Sequence, residues 1–178
     1  MEEKKRNKKE VLKEIMSYVI ILVIVVLLRI FVLLNSSIPT GSMENTIPAG
    51  TRVMGLKTAY LTKDPQRGDI VIFYMPDMLD EGEKLLYAKR VIGLPGETVE
   101  IRDGVLYIDG AELQEDYLAE PMTGDFGPYT VPEDGYFMMG DNRNHSADAR
   151  SWSRKYVRKD EIVGKVYFSY WPKLKWMY

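Results

Sequence analysis

The sequence predicts a mainly β domain with antiparallel strands, preceded by a single apolar helix near the N-terminus. Three observations lead to this fold class. One aliphatic segment stands near the start, short runs rich in β-branched and aromatic residues follow it, and two Asp-Gly pairs divide the clearest of these runs. Beyond the aliphatic segment we find no long amphipathic helix and no internal repeat.

The aliphatic segment is predicted to be a membrane anchor. Residues 1–14 form a charged, lysine-rich run, and residues 15–34 are almost wholly apolar. A length of roughly 20 residues is enough to span a bilayer as a helix. The basic flank predicts a cytoplasmic N-terminus and places residues 35–178 outside the cell membrane.

A cleaved signal peptide is the alternative for this segment. Its apolar core is typically only about 7–15 residues long and ends at a small-residue cleavage site. Here the apolar run is longer and continues into Leu33-Leu34-Asn35. We therefore favour an uncleaved anchor, with the lipid bilayer as one partner of the protein.

The residues after the anchor indicate β-structure. Val53–Leu56 and Ile70–Tyr74 are short apolar runs bounded by turn residues, as expected of buried strands. In the segment 99–110, alternating apolar and polar residues surround Asp103-Gly104 and precede Asp109-Gly110. Asp-Gly suits the type I′ hairpin turn because both central residues of that turn need positive φ.

Three further segments complete the β domain. Residues 116–132 are rich in Gly, Pro and acidic residues, and we expect an irregular excursion there. Tyr136–Met139 and 162–168 regain the composition of strands.

Composition excludes several classes of function. The 178 residues include 24 Lys and Arg against 26 Asp and Glu, and outside the N-terminus the basic residues are scattered among acidic ones, so no nucleic-acid partner is expected. There is no cysteine, which excludes disulfides, thiol catalysis and cysteine-ligated metals. With His145 as the single histidine, we predict no metal site and no cofactor.

A candidate nucleophile lies just beyond the anchor, at Ser42 in the run Pro39-Thr40-Gly41-Ser42. Pro39 stiffens the approach to the serine, and Gly41 allows a tight turn beside it. Such a hydroxyl is presented rather than buried. The alternative is an ordinary polar loop leaving a membrane helix, since loops favour these residues.

A serine nucleophile requires a base, and the sequence offers two. The surroundings of Ser42 lack the glycines of a nucleophile elbow, and no Ser-x-x-Lys motif occurs. His145 would complete a serine and histidine pair. Lys89, in the apolar run 85–96, would serve if burial lowered its pKa, because the neutral amine accepts a proton. A solvated lysine on an edge strand is the alternative at that position.

Four stretches, in order behind one anchor, carry a resemblance to a known family. They are Ile38-Pro39-Thr40-Gly41-Ser42-Met43, Arg67-Gly68-Asp69-Ile70-Val71-Ile72-Phe73, Lys89-Arg90-Val91-Ile92-Gly93-Leu94-Pro95-Gly96-Glu97 and Gly140-Asp141-Asn142-Arg143-Asn144-His145-Ser146-Ala147-Asp148-Ala149-Arg150. Together they resemble the compact members of the bacterial type I signal peptidase family. The resemblance implies two antiparallel sheets and a Ser/Lys endopeptidase that removes signal peptides from exported preproteins.

The resemblance also implies roles for individual residues. Ser42 matches the nucleophile and Lys89 the general base. Ser146 matches a serine that orients the lysine amine, and Thr40 matches a side-chain donor that joins the Ser42 N–H in the oxyanion hole. The supporting residues it implies are Asp141, Arg143, Asp148 and Arg150. The shallow pockets it implies, for small residues at P1 and P3, are lined by Ile38, Met43, Ile47, Val53, Tyr87 and Ala88.

Two other functions remain open from the sequence. A self-cleaving domain of the SOS-repressor type also pairs serine with lysine, although the anchor and the lack of a DNA-binding module argue against it. A non-enzymatic, membrane-tethered β module would use Asp141 and Asp148 to bind a partner or a cation. Glu44 stands where the family usually has proline, so the wall of the substrate pocket is expected to differ.

Overall fold

The computed structural model describes residues 7–80, 82 and 84–177. The first six residues of the lysine-rich run 1–14 lie outside the described residues. The chain divides into two units, one ending at Leu33 and one beginning at Leu34.

The N-terminal unit is one helix, α1 (Lys8–Phe31), in which no residue is buried. The Asn7 side chain caps it by accepting a hydrogen bond from the Lys9 N–H, as is typical of helix N-termini. By length and composition, this helix is able to cross a membrane.

The helix does not coincide with the predicted segment 15–34. It starts seven residues earlier because helical geometry continues through the charged turns after Asn7. It ends at Phe31, and the next residues form strand β1 (Leu33–Ile38). Leu34 is only 4% exposed in the β domain, so packing, which hydropathy cannot report, decides the end of the apolar helix.

The second unit contains the two antiparallel sheets that the resemblance implied. The larger sheet has the order β1-β2-β11-β3-β4-β9-β10, with β12 paired to β11. Its remaining strands are β2 (Thr51–Leu56), β3 (Ile70–Tyr74), β4 (Leu86–Gly93), β9 (Gly135–Met139), β10 (Val157–Arg158), β11 (Ile162–Trp171) and β12 (Lys175–Trp176). Strand β4 lies between β3 and β9, in the interior of this sheet.

The smaller sheet has the order β7-β6-β5-β8. Its strands are β5 (Thr98–Arg102), β6 (Val105–Ile108), β7 (Ala111–Glu112) and β8 (Phe126–Thr130). Both Asp-Gly pairs connect strands as predicted, and Asp103, Gly104, Asp109 and Gly110 all have positive φ. This agreement follows from the local nature of a tight turn, which four residues specify.

The expectation of an irregular segment at 116–132 is wrong in part, because β8 lies within it. The rings of Phe126 and Tyr129 pack against Phe137, with ring centroids 5.3 and 5.8 Å apart. A tertiary aromatic cluster therefore holds a strand whose Gly127-Pro128 pair argued against one. The short helix α2 (Pro76–Asp80) and strand β12 were likewise not predicted.

Two apolar clusters form the core of the β domain. The larger joins the two sheets through residues such as Phe73, Val99 and Phe137. The smaller includes Met43, Ile47, Val53, Ile72 and Ala88, and it lies under the loop that follows β1. The buried side chains of this smaller cluster therefore hold that loop against the β domain.

Candidate active site

Ser42 is held in a tight turn directly after the edge strand β1. Residues Gly41–Met43 form a single 3-10 turn, and the Glu44 N–H donates to the carbonyl oxygen of Gly41 at 2.9 Å. The next side chain, Met43, is 0% exposed and anchors the turn in the smaller core cluster. The Ser42 hydroxyl is thereby presented above an apolar floor.

Lys89 meets this hydroxyl from the interior strand β4. Its Nζ donates a hydrogen bond to Ser42 Oγ at 2.5 Å. The Lys89 side chain is 1% exposed, and Val71 faces it across the β3–β4 ladder. The alternative of a solvated lysine on an edge strand is therefore wrong. His145 has no such bond to Ser42, so of the two candidate bases only Lys89 is in hydrogen-bond contact with the serine.

The surroundings of Lys89 weaken its hold on a proton. Burial lowers the pKa of Lys89 from its ordinary value of 10.5 to about 8, and the Arg150 charge acts in the same direction. The carboxylates of Asp148 and Asp141 oppose this effect but do not cancel it. Nζ also lies 5.5 Å from the centroid of the Tyr87 ring, which shields it from water on one side.

The loop 140–150, here called the box loop, is hydrogen-bonded to the backbone of the turn Gly41–Met43, which carries the candidate nucleophile and is here called the nucleophile turn. The Asn142 N–H donates to the Ser42 carbonyl oxygen at 3.1 Å, and Asn142 Nδ2 donates to the Gly41 carbonyl oxygen at 3.0 Å. A short 3-10 turn, Arg143–His145, follows. The box loop thus fixes the backbone on which the Ser42 hydroxyl stands.

Three arginines around the box loop each form a two-pronged ion pair with one carboxylate. Arg90 binds Asp141 at 2.8 and 2.6 Å, and Arg150 binds Asp148 at 2.8 and 2.9 Å. Arg143, one of the predicted supporting residues, pairs with Glu115, with the closest approach at 2.5 Å. All six side chains are largely or fully buried.

Glu115 was missed by sequence reasoning. It lies in the segment between β7 and β8, outside the four stretches that carry the resemblance. The neighbouring Tyr117 places its ring 3.9 Å from the Arg90 guanidinium and donates its hydroxyl to Glu115. The box loop contains two arginines and two aspartates, so the sequence gave no signal of a further acid; Arg143 needs one only because Arg90 pairs with Asp141 in the folded chain.

The structure does not contain the predicted hydrogen bond between Ser146 and Lys89. Ser146 Oγ is buried and has no hydrogen-bond partner among the described residues. The hydroxyl instead packs against Gly140, where the Cβ of any larger residue would approach it to 2.2 Å. Close packing of two loop residues, which sequence cannot reveal, directs Ser146 towards the backbone of its own loop.

Thr40 is close to Ser42, as expected of a neighbour two residues away. Its Oγ1 lies 3.3 Å from Ser42 Oγ, and either hydroxyl is able to donate. Thr40 also lines both of the depressions that open on Ser42. Its hydroxyl is therefore beside the space in which a reacting carbonyl would lie.

The first depression, here called the β1–β4 groove, runs between these two strands. It is lined by Ser36, Ser37, Ile38, Pro39, Thr40, Ser42, Ile72, Leu85, Leu86, Tyr87 and Ala88. Of the predicted pocket residues, Ile38, Tyr87 and Ala88 lie in its wall. Met43, Ile47 and Val53 do not, because their side chains are 0% exposed in the core cluster below.

The second depression, here called the box cleft, opens on Ser42 beside the box loop. Lys89, Asn142, His145 and Ala147 line it together with residues 40–42 and Tyr87. His145 is exposed at its mouth. Thr40, Ser42 and Tyr87 are common to both depressions, so the two depressions meet at Ser42.

Among the described residues, no group of three or more His, Cys, Asp or Glu side chains is placed to hold a metal ion. Asp141 and Asp148, the two carboxylates of the cation-binding alternative, are each held by an arginine. That pairing leaves neither carboxylate free to bind a cation.

Comparison with known proteins gives one consistent family. Residues 11–171 match the family described as signal peptidase, peptidase S26. The chain is 38% identical over 146 residues to the probable signal peptidase I-2 of Synechocystis sp., covering 82% of this chain and 66% of that protein. It is 40% identical over 183 residues to the signal peptidase I of Bacillus licheniformis, covering 96% of this chain and 95% of that protein.

A crystal structure of a signal peptidase I from Enterococcus faecalis V583 is 42% identical to this chain. The match covers 58% of this chain and 97% of the other, with a TM-score of 0.49. The family match over most of the chain and the two curated relatives lead to one conclusion: the chain belongs to the signal peptidase family, peptidase S26.

Proposed function

We propose that this protein is a membrane-anchored endopeptidase that cleaves signal peptides from exported preproteins, with Ser42 as nucleophile and Lys89 as general base. One observation carries the proposal. A lysine that is 1% exposed, with a pKa lowered to about 8, has its amine 2.5 Å from a serine hydroxyl at the meeting point of two depressions. Membership of the signal peptidase family supports the substrate class.

The chemistry starts with the neutral form of Lys89. Its amine takes the proton of Ser42 as Oγ attacks the scissile carbonyl carbon, and a tetrahedral oxyanion forms. The resulting ammonium then protonates the leaving amine, and an acyl-enzyme on Ser42 remains. A water molecule, deprotonated by the same amine, hydrolyses this ester and regenerates both side chains.

The oxyanion requires donors that are in place before it forms. The Ser42 N–H supplies one, and the Thr40 hydroxyl, 3.3 Å from Ser42 Oγ, supplies the second in this proposal. Asn142 supports the arrangement, since its bonds to the Gly41 and Ser42 carbonyl oxygens restrict the peptide planes of the turn.

The substrate is proposed to bind as an extended chain in the β1–β4 groove. Such a chain pairs through its backbone with strand edges, and alternate side chains point into the protein. The side chains at P1 and P3 would then face Ile38, Ile72 and Ala88, whose close packing leaves room for small residues. The P2 side chain would point outwards.

The membrane anchor is assigned to α1, with a cytoplasmic N-terminus and the β domain on the outer face. The length and hydropathy of α1 support the anchor, and the lysine-rich residues before it support the orientation. Protease added outside wall-stripped cells should reach the segment 116–125, whereas a tag before Lys4 should stay protected. The opposite pattern of protection would contradict the assignment.

The proposed activity is tested with the detergent-solubilised protein and a preprotein that carries a defined signal peptide. Cleavage should occur at the end of the signal peptide and should be lost in Ser42→Ala. A self-cleaving domain would cut its own chain and leave the preprotein intact. A non-enzymatic binding module would leave both intact and would tolerate the loss of the hydroxyl.

A further inference from the structure

The buried charges around the proposed dyad are balanced except at Lys89. Three guanidinium groups are matched by three carboxylates, in the pairs Arg90–Asp141, Arg143–Glu115 and Arg150–Asp148. Among the described residues, no carboxylate lies within ion-pair distance of Lys89 Nζ. Because the three carboxylates are paired with arginines, a protonated Lys89 has no counter-ion of its own. Its burial without a counter-ion favours the neutral amine.

Two of the three carboxylates belong to the box loop, and the third is Glu115, which comes from the segment that follows β7 of the smaller sheet. Its side chain is 5% exposed and faces Arg143, which is 0% exposed. Arg143 also donates from Nε to the Gly140 carbonyl oxygen at 3.1 Å. Glu115 thus neutralises a buried charge that is directly bonded to the start of the box loop.

The Arg143–Glu115 and Arg90–Asp141 pairs are close enough to influence each other. The Arg143 charge opposes the rise in the Arg90 pKa that Asp141 causes, and Asp141 also helps to raise the pKa of Arg143. The Tyr117 ring lies 3.9 Å from the guanidinium of Arg90 and 5.9 Å from that of Arg143, and so joins the two pairs. Besides Glu115, the carboxylate whose charge helps to raise the pKa of Arg143 is Asp141, so the loss of Glu115 would leave Asp141 as the acid that balances Arg143.

We propose that Glu115 is a positioning residue for the general base: by giving Arg143 a carboxylate of its own, it keeps Asp141 bound to Arg90 and fixes the charge balance around Lys89. This inference rests on the proposed Ser42/Lys89 dyad. Glu115 acts through Arg143 and Asp141.

The charged and titratable groups that face this part of the site come from several elements. Those around Lys89 are Tyr87 on the same strand, His145 in the box cleft, and Asp141, Asp148 and Arg150 on the box loop. Those around Arg143 are Glu115, Tyr117, Asp141 and Arg90. Because Asp141 belongs to both sets, a change at Glu115 reaches Lys89 through it.

The test is the pH dependence of kcat/KM for the full-length protein in detergent. Glu115→Gln removes the negative charge but keeps the shape of the side chain. The positive charge of Arg143 is then uncompensated and attracts Asp141, which lowers the pKa of Lys89. The acidic limb of the kcat/KM profile, which follows this pKa, should therefore move to lower pH by about half a unit or more, since nearby charges shift pKa values by about 1–3 units. Glu115→Asp keeps the charge and should leave the limb near its wild-type position.

Glu161→Gln is the matched control. Glu161 is also 5% exposed. It pairs with Arg154 at 3.0 and 2.8 Å and with Arg158 at 2.7 Å, and neither arginine belongs to the three pairs around the dyad. This variant should lose stability as Glu115→Gln does, with the acidic limb unmoved. If Glu115→Gln behaves in the same way, Glu115 is only structural and the inference is wrong.

Arg143→Gln provides a second test if Glu115→Gln does not fold. It leaves an excess negative charge instead of a positive one, so the acidic limb should move to higher pH. An unmoved limb in this variant would also overturn the inference. Lys89→Ala, assayed in parallel, separates the two proposals. If this variant is active, the proposed Ser42/Lys89 dyad is wrong. If it is inactive, the dyad stands and the shifts of the acidic limb test the role of Glu115 alone.

Discussion

Gly140 lies directly against the carbonyl oxygen of Ser42. A Cβ atom built on Gly140 would come within 2.4 Å of that oxygen, which is backbone and cannot rotate away. The same Cβ would lie 2.2 Å from Ser146 Oγ. The box loop and the nucleophile turn therefore approach as closely as they do because residue 140 has no side chain.

Gly140→Ala should displace the nucleophile turn and reduce kcat/KM by about 100-fold, since misplacing a reacting group by about 1 Å has an effect of that size. KM should change less than kcat. The matched control is Gly164→Ala, whose Cβ would lie 2.5 Å from the backbone oxygen of Leu56, away from the site. That variant should be destabilised but retain the kcat of the wild-type protein. Equal kcat losses in the two variants would argue against a specific contact between loop and turn.

Ser42→Ala and Lys89→Ala should each abolish cleavage, and the double variant should be no slower than either single one. The reason is that nucleophile and base act as a unit, so that losing one makes the other useless. Single-turnover assays on a preprotein, with circular dichroism as the check on folding, measure this. Near wild-type turnover by folded Lys89→Ala would rule out the Ser/Lys mechanism.

The pH profile separates Lys89 from His145 as the base. The neutral amine is the active form, so kcat/KM should rise with pH and level off above the lysine pKa of about 8. A histidine base would place the limb near the ordinary histidine value of about 6.5. His145→Ala should keep both the limb and the rate. Loss of the limb in His145→Ala, with Lys89→Ala still active, would make His145 the base.

The burial that lowers the pKa of Lys89 should also reduce stability at neutral pH. Its pKa is about 8 in the folded state against an ordinary 10.5, so below pH 8 folding confines a charged amine, which costs about 3 kcal/mol. Lys89→Met should therefore raise the free energy of unfolding at pH 7. The unfolded state binds more protons between pH 8 and 10.5, so the wild-type protein gains stability over this range and the advantage of Lys89→Met should shrink. Urea titrations at pH 7 and pH 10 measure the difference; an advantage that stays constant between these two pH values would contradict the assigned pKa.

Substrate variants test the β1–β4 groove. Replacing a P1 alanine by leucine should stop cleavage, because the proposed P1 side chain faces a wall formed by Ile38, Ile72 and Ala88. The same replacement at P2 should matter much less, since that side chain points away from the groove. A series in which P2 is as restrictive as P1 and P3 would show that the substrate does not bind as an extended strand. Ala88→Gly provides the converse test and should widen the range accepted in the groove.

Local signals in the sequence predicted the parts of the fold that depend on few neighbours. The two Asp-Gly turns, the strands at 53–56 and 70–74, and an apolar helix near the N-terminus were all found. Strand β8 was missed because the aromatic packing of Phe126 and Tyr129 against Phe137 holds it, and that packing joins residues distant in sequence. The helix ends three residues before the apolar segment 15–34 does, because Leu34 is buried in the core of the β domain and an apolar residue suits a protein core as well as a bilayer.

The sequence by itself determined the family, the pairing of one serine with one lysine as candidates, and the absence of cysteine chemistry. Only the tertiary structure decided that Lys89 is buried against Ser42 and that Ser146 packs on Gly140. It also decided that Met43, Ile47 and Val53 lie in the core below the β1–β4 groove and do not line its wall. It also brought Glu115 to Arg143, 28 residues away in the chain. Residue type limits what chemistry a side chain performs, but burial, charge balance and close packing arise between distant segments, and they become defined only when the chain has folded.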